Sequence, residues 1–193
     1  PLAAGVRVVA AHCASLGKDH DWDAGDKAGK VSSFALFSRL MNEPSGANLY
    51  GDLAMALAAA GEGIRAIDLY RRALADSEAA GLEHGQAYWK IQNNFGLALL
   101  GADLLDEAGT VLENCVRMRR AEGAGLELAS ALNNLGLVRG RQGRLGDAEE
   151  LHQEALGMTL GIVGPDSDLL APYYGNLAAV LDRGGRYRDS LEY

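Results

Sequence analysis

An internal repeat constrains this chain more than any other feature of its sequence. Three segments align, with starts 42 and 40 residues apart: NLYGDLAMALAAAGEGIRAIDLYRRAL (48–74), KIQNNFGLALLGADLLDEAGTVLENCV (90–116) and SALNNLGLVRGRQGRLGDAEELHQEAL (130–156). A fourth copy, PYYGNLAAVLDRGGRYRDSLEY (172–193), begins 42 residues after the third. Units of this kind bury their apolar faces by stacking on their neighbours, so the period predicts a repeat array.

Each copy places small residues at fixed positions. An apolar residue is followed by a small one at Leu53-Ala54, Phe95-Gly96, Leu135-Gly136 and Leu177-Ala178. Thirteen residues after the apolar member stand Ala66, Ala108, Ala148 and Ser190, and seven residues later still stand Ala73, Cys115 and Ala155. Small side chains let two helix backbones approach closely, so each copy predicts a pair of packed helices. Cys115 is therefore interpreted as a packing residue and not as a reactive thiol.

Glycine marks the turn inside each helix pair. Gly61, Gly143 and Gly185 share one position in the register, and Asp103 takes it in the second copy. Glycine there is typical of a left-handed helix end followed by a tight turn. The pattern predicts first helices near 47–60, 83–100, 126–142 and 167–183, and second helices near 63–80, 104–121, 145–161 and from 186.

These positions resemble the tetratricopeptide repeat family, whose consensus has Leu-Gly in the first helix, Gly in the turn and two spaced Ala in the second helix. The resemblance covers residues 47–193. The period exceeds the usual 34 residues, and the strings NNFG and NNLG are similar to the longer-helix class found in kinesin light chains. The resemblance implies an all-α, right-handed superhelical solenoid of antiparallel helix pairs.

The chain divides into two parts on this basis. Residues 47–193 form an array of three full repeats and a truncated fourth. Residues 1–46 form an N-terminal helical segment, with amphipathic stretches at 2–17 and 31–43, which is either a degenerate repeat or a cap. The start at Pro1 and the end inside an apparent helix suggest a piece of a longer protein.

Composition excludes several classes of function. The formal charge is 18 − 26 = −8, the opposite of what a phosphate backbone attracts, so we expect no nucleic-acid partner. No apolar run approaches the roughly 20 residues needed to span a bilayer, so we expect a soluble, cytoplasmic protein without a membrane partner. Cys13 and Cys115 are a lone pair 102 residues apart, which does not make a disulfide framework in a chain of this size.

Residues that could carry chemistry do not form a catalytic or metal-binding pattern. The stretch Asp19, Asp21, Asp23 begins like a calcium loop, but Lys30 stands where the twelfth-position Glu is needed. GDKAGKV (25–31) lacks the spacing of a phosphate-binding loop, and the four histidines show no zinc spacing. We therefore expect no enzyme activity, no cofactor and no metal, with His152 as a packing residue.

A repeated row of asparagines is the strongest candidate site. The row comprises Asn93-Asn94, Asn133-Asn134 and Asn176, with Asp52 at the equivalent place in the first copy. The family resemblance implies that first helices line the concave groove. Because each asparagine is both donor and acceptor, the row could bind the backbone of a peptide. The alternative is that these side chains bond neighbouring repeats and fix the superhelical pitch, and both roles can coexist.

Neighbouring positions on the same predicted faces would select the ligand's sequence. They are Lys90, Met55, Leu97, Leu137, Arg141 and Arg183. The resulting hypothesis is a scaffold that binds a protein or peptide in its groove. The alternative is a regulatory or sensory segment that controls an ATPase, protease or transcription module of a larger bacterial protein. A third interpretation is self-association through the uncapped last repeat, with Leu177, Val180, Leu181 and Leu191 exposed.

Overall fold

The computed structural model describes residues 46–82, 85–123 and 125–190, and within these ranges it is helical without strands. The helices are α1 Gly46–Ala59, α2 Gly63–Ala79, α3 Gln86–Gly101, α4 Leu105–Glu122, α5 Leu126–Arg141, α6 Leu145–Val163, a 3-10 turn Asp168–Leu170, α7 Ala171–Arg183 and α8 Tyr187–Ser190. Three predictions concern residues 1–45 and lie outside the described residues. They are the N-terminal degenerate repeat or cap, the calcium-like stretch that begins at Asp19, and GDKAGKV (25–31).

Helices pack as consecutive pairs. The odd-numbered helices are the first helices of the repeats, and each packs on the second helix that follows it in sequence. Each second helix also packs on the first helix of the next repeat, and successive first helices contact one another. The predicted solenoid of antiparallel pairs is therefore confirmed. In the described part of the chain, no helix has the length and apolar character that crossing a membrane requires.

The small residues of the first helices lie where the two helices of a pair meet. A Cβ atom added at Gly96 would lie 2.5 Å from Cγ of Leu112, and one added at Gly136 would lie 2.7 Å from Cε1 of His152. On the second helices the small residues are almost fully buried: Ala66, Ala73, Ala108, Ala148 and Ala155 are 0% exposed and Cys115 is 2% exposed. Burial also raises the pKa of the Cys115 thiol to about 11, which agrees with a packing role.

The turn inside every helix pair uses a left-handed residue. Gly61, Gly143 and Gly185 have φ of 82°, 79° and 76°, and Asp103 adopts the same conformation with φ of 63°. The next amide in each turn donates back to the first helix: Glu62 to Leu57, Leu104 to Leu99, Arg144 to Arg139 and Arg186 to Leu181. This bonding pattern satisfies carbonyl groups that the helix end leaves free. The sequence predicted a left-handed residue at one equivalent position in each repeat, and the structure confirms it.

Two first helices begin later than predicted. Helix α3 starts at Gln86, not near 83, because Gly85 is extended with φ −84° and ψ 152°. Helix α7 starts at Ala171, not near 167, because a 3-10 turn precedes it. The hydroxyl of Ser167 accepts from the Leu169 amide at 3.3 Å, and Pro172 occupies the first turn of α7, where its missing N–H costs nothing.

The last repeat does not expose the apolar surface predicted for self-association. Leu177, Val180 and Leu181 are 0%, 6% and 2% exposed. Leu177 and Leu181 belong to a buried cluster with Leu156 of α6 and Leu170 of the 3-10 turn. That prediction was wrong for these three residues, because α6 and the 3-10 turn cover one side of α7. Leu191 lies outside the described residues.

Candidate functional site

Four of the five asparagines in the predicted row bond one another across repeat boundaries. Asn134 Nδ2 donates to Asn93 Oδ1 at 2.9 Å, and Asn176 Nδ2 donates to Asn133 Oδ1 at 3.0 Å. Asn133 and Asn134 are only 9% and 7% exposed, so little of either side chain faces solvent. The hydrogen bonds connect α3 to α5 and α5 to α7. These four amides therefore tie neighbouring repeats together, as the second interpretation of the row predicts.

His152 extends this network into the second helix of its repeat. Its Nδ1 lies 3.0 Å from Asn133 Oδ1, an acceptor, so Nδ1 carries the proton. Its Nε2 is buried without a hydrogen-bond partner among the described residues and lies close to Gly136. Burial lowers the pKa of His152 to about 4, so the imidazole is neutral near pH 7. The side chain is 0% exposed and packs between helices.

Asn94 differs from the other asparagines. It makes no side-chain hydrogen bond within the described ranges, and its side chain is half-buried. It lines two adjacent cavities at the α1–α3 end of the array. Its donors and acceptor are therefore available to a ligand, whereas those of Asn93, Asn133, Asn134 and Asn176 are at least partly engaged.

The smaller cavity lies between α1 and α3 and has a volume of about 190 Å³. Asp52 and Met55 line it from α1, and Lys90 and Ile91 line it from α3. The two helices approach closely here because α1 carries Gly51, where an added Cβ would lie 2.9 Å from Cγ1 of Ile91. The cavity therefore combines an apolar floor with one acidic and one basic side chain at its rim.

The larger cavity has a volume of about 550 Å³ and continues from the smaller one toward the turn of the first repeat. Met55, Tyr70 and Asn94 line both cavities, so the two form one groove. Ile64 and Leu97, which are 77% and 37% exposed, add apolar surface to the larger cavity. Along α3 the lining residues of the groove extend from Ala87 to Gly101.

Tyr70 also lines the groove, a position that the sequence analysis did not assign to it. It reaches the groove from α2, is 1% exposed, and stacks at a tilt on Phe95 with ring centroids 6.0 Å apart. Burial and then the negative charge of Asp52 raise the pKa of Tyr70 to about 12, so the phenol is protonated. The repeat alignment could have indicated this position, because Tyr70, Leu112 and His152 each lie sixteen residues after the small first-helix residue of their own repeat.

Comparison with known families decides the class of this chain. A tetratricopeptide repeat model matches residues 89–160 and 127–193, which together cover more than half of the chain, and a second tetratricopeptide repeat model matches residues 47–80. The chain belongs to the tetratricopeptide repeat (TPR) family. No curated protein matches it significantly.

Solved structures agree with this assignment. BtubC (BKLC) from P. vanneervenii is 23% identical with a TM-score of 0.71, and the match covers 82% of this chain and 66% of BtubC. A putative kinesin light chain from Podosopora anserina, with nearly identical TPR-like repeats, is 17% identical with a TM-score of 0.69, covering 79% and 73%. The predicted resemblance to kinesin light chain-type repeats is thus confirmed at the level of the fold.

A third solved structure is the Rap protein complexed with competence and sporulation factor. It is 16% identical with a TM-score of 0.68, and the match covers 76% of this chain and 40% of the Rap chain. At such identities the likeness concerns the fold alone. The TPR array spans about two thirds of BtubC and less than half of the Rap chain.

The remaining predicted selectivity residues of the TPR array are spread along it. Lys90 is exposed at the rim of the smaller cavity and forms no ion pair with another described residue. Leu137 is half-buried and lines neither cavity. Arg141 pairs with Asp103 at 2.8 Å, and Arg183 lies exposed over Gly140 of α5. The structure therefore groups Asp52, Lys90, Asn94 and Leu97, and places Leu137, Arg141 and Arg183 elsewhere.

A buried arginine in the TPR array also escaped the sequence analysis. Arg139 of α5 holds the register position that Leu57, Leu99 and Leu181 occupy in the other repeats, and it is 6% exposed. Its guanidinium contacts Glu113 and donates to Gln142 Oε1 at 2.7 Å. Space for it exists because α4 has Gly109 opposite, where an added Cβ would lie 2.9 Å from the guanidinium. The repeat alignment could have shown this exchange of leucine for arginine.

Proposed function

We propose that this TPR array binds a protein or peptide partner in the groove between α1 and α3. One observation carries the proposal: Asn94, whose amide has no hydrogen-bond partner among the described residues, lies at the junction of two continuous cavities, while the other four asparagines bond one another. The row of asparagines then has two roles. Asn94 contacts the ligand, and the remaining four hold α3, α5 and α7 in register.

The groove suits a peptide in chemical terms. A side-chain amide can accept from a backbone N–H and donate to a backbone carbonyl, so Asn94 can anchor main chain whatever the ligand's sequence. Each such bond contributes about 0.5–1.5 kcal/mol net. Met55 and Leu97 offer apolar contact, and Lys90 and Asp52 supply charge at the rim. These four side chains would select among sequences.

A structural neighbour supports a ligand-binding role for such an array. The Rap protein was solved in complex with competence and sporulation factor. The likeness is one of fold, so it supports the class of function and does not identify the ligand of this chain.

The test is a selection of random peptides displayed on phage against the wild-type array, followed by affinity measurement on Asn94→Ala and Asn134→Ala. We expect Asn94→Ala to weaken binding by about tenfold at unchanged stability, since each lost bond costs roughly 1 kcal/mol. Peptides that bind the wild type and Asn94→Ala equally, or no selected peptide at all, would contradict the proposal.

The regulatory alternative uses the same groove for a ligand within the same polypeptide, such as a segment of an ATPase, protease or transcription module. The two hypotheses differ in where the ligand resides. Selected peptides that match a sequence elsewhere in the full-length protein would favour regulation, whereas matches only to other proteins would favour a scaffold.

A further inference from the structure

Exposed apolar side chains are concentrated on one edge of the solenoid. Within the described residues, eight large hydrophobic side chains are exposed, and five of them lie in or beside the loops that join successive repeats. The five are Leu82 (47%), Leu126 (37%), Leu160 (37%), Ile162 (52%) and Leu169 (56%). Single exposed leucines are ordinary, but clustering on one edge indicates a contact surface. This surface, called the loop edge below, is separate from the groove.

The fold explains why these residues share an edge. Helices of a pair run antiparallel, so every second helix ends, and every next first helix begins, on the same side of the array. Two hydrogen bonds show that these helix ends lie side by side: Tyr88 Oη donates to Glu78 at 2.8 Å, and Trp89 Nε1 donates to Glu122 at 3.2 Å. These bonds join the end of α2, the start of α3 and the end of α4. The three loops therefore follow one another along the edge.

The loop edge is also acidic. Glu127, Asp166 and Asp168 are exposed there and form no ion pair with other described residues. The last turns of α2 and α6 contain no basic residue. Arg119 and Arg120 end α4, but they pair with Glu122 and Glu154. The negative charge beside the apolar side chains is therefore not neutralised by residues that the structure describes.

We propose that the loop edge docks an amphipathic basic helix of a partner protein. Leucine-like side chains of that helix cover Ile162, Leu169 and Leu126, and its lysines or arginines face the unpaired carboxylates. Packed helices lie 8–10 Å apart, so three successive loops span roughly 20 Å. A helix rises 1.5 Å per residue, so a segment of about 14 residues covers the surface. A basic amphipathic helix is a common form of protein-binding segment.

The experiment uses two helical peptides of about 14 residues. Both carry leucine on one face; one has lysine on the flanks and the other has glutamate. Their affinity for the full chain is measured by fluorescence anisotropy at low and high salt. One variant, Ile162→Ser with Leu169→Ser, removes apolar contact from the loop edge. Its control, Leu104→Ser, removes a side chain that is 44% exposed at the turn inside a helix pair, away from both the loop edge and the groove. Circular dichroism confirms that both variants remain folded.

The lysine peptide should bind and the glutamate peptide should not. Ile162→Ser with Leu169→Ser should weaken binding of the lysine peptide by about tenfold, while the control should leave it unchanged. The double variant Glu127→Gln with Asp166→Asn removes two negative charges from the loop edge. It should weaken binding of the lysine peptide and reduce the salt dependence of that binding. The proposal is overturned if the lysine peptide does not bind, if both peptides bind equally, or if the control weakens binding as much. Loss of binding in Asn94→Ala would place the peptide in the groove and also overturn it.

Discussion

Asn134 and Asn94 occupy equivalent positions in successive first helices, yet within the described residues only Asn134 donates a hydrogen bond to the preceding repeat, to Asn93 at 2.9 Å. The difference follows from what lies beside each residue. Asn134 has an asparagine next to it on α3, whereas Asn94 faces the cavity beside Met55 of α1. One residue type in one register thus holds the array together at Asn134 and, in the proposed function, contacts the ligand at Asn94.

Replacing Asn134 by Ala should lower the free energy of unfolding by about 1–3 kcal/mol, because it leaves a half-buried Asn93 oxygen without its donor. Urea denaturation followed by circular dichroism measures the effect. Asn94→Ala is the matched control and should change stability by less than about 0.5 kcal/mol. Equal losses in both variants would show that Asn94 is also structural.

The Leu-Gly pattern predicts that Leu135 is a core residue, and its side chain is 5% exposed. Leu135→Ala should therefore cost about 2–5 kcal/mol of unfolding free energy, from lost burial and from the cavity left behind. Leu104→Ala, at a side chain that is 44% exposed, is the control and should cost far less. A near-zero change for Leu135→Ala in thermal and urea unfolding would contradict the observed packing.

Arg139 and Glu113 provide a test of how a buried charge is maintained in an otherwise apolar position. Arg139→Leu restores the residue found in the other repeats, so stability should stay unchanged or rise, because apolar packing replaces a buried guanidinium whose partner carboxylate is 57% exposed. Glu113→Ala should instead cost about 1–3 kcal/mol, since it removes a partner from a guanidinium that remains buried. Urea unfolding of the two variants gives the comparison. A larger loss for Arg139→Leu than for Glu113→Ala would refute this account.

The turn of the third repeat offers a matched pair of glycines. Gly143 has φ of 79°, and an added Cβ would meet nothing within 4 Å, so only backbone strain opposes a side chain there. A Cβ added at Gly146, in the first turn of α6, would also meet nothing within 4 Å, and Gly146 does not have a positive φ. Gly143→Ala should destabilise the chain by about 1 kcal/mol, and Gly146→Ala should stabilise it by about 0.5 kcal/mol. Melting temperatures that move in the same direction would contradict the argument.

The fold could be predicted from the sequence wherever every repeat needs the same backbone conformation or the same close helix contact at one position. The turn glycines and the helix pairs could be predicted because a left-handed residue and close helix contact each demand a small residue at a fixed place. The division of roles among the asparagines could not, because it depends on which neighbour lies opposite each side chain. Burial of Leu177 was missed for a similar reason: the 3-10 turn before α7, which helps to cover it, has no counterpart among the described residues of the other repeats.

The acid sensitivity of the array should depend on His152. Its pKa is about 4 in the folded chain, below the ordinary value of 6.5, so the unfolded chain binds more protons between these values. The stabilisation is complete above about pH 6.5 and is lost as the pH falls toward about 4, for a total of about 3 kcal/mol. At about pH 5 the loss should be about 2 kcal/mol relative to pH 7.5.

The variant His152→Leu isolates this effect from that of other titrating groups. Leu112 fills the same position in the second repeat, so leucine should fit between the helices. Urea unfolding at about pH 7.5 and about pH 5 should show a smaller pH dependence in the variant, by about 2 kcal/mol. An identical dependence in both proteins would mean that His152 does not remain neutral in the folded chain, and that the Asn133 network tolerates an imidazolium.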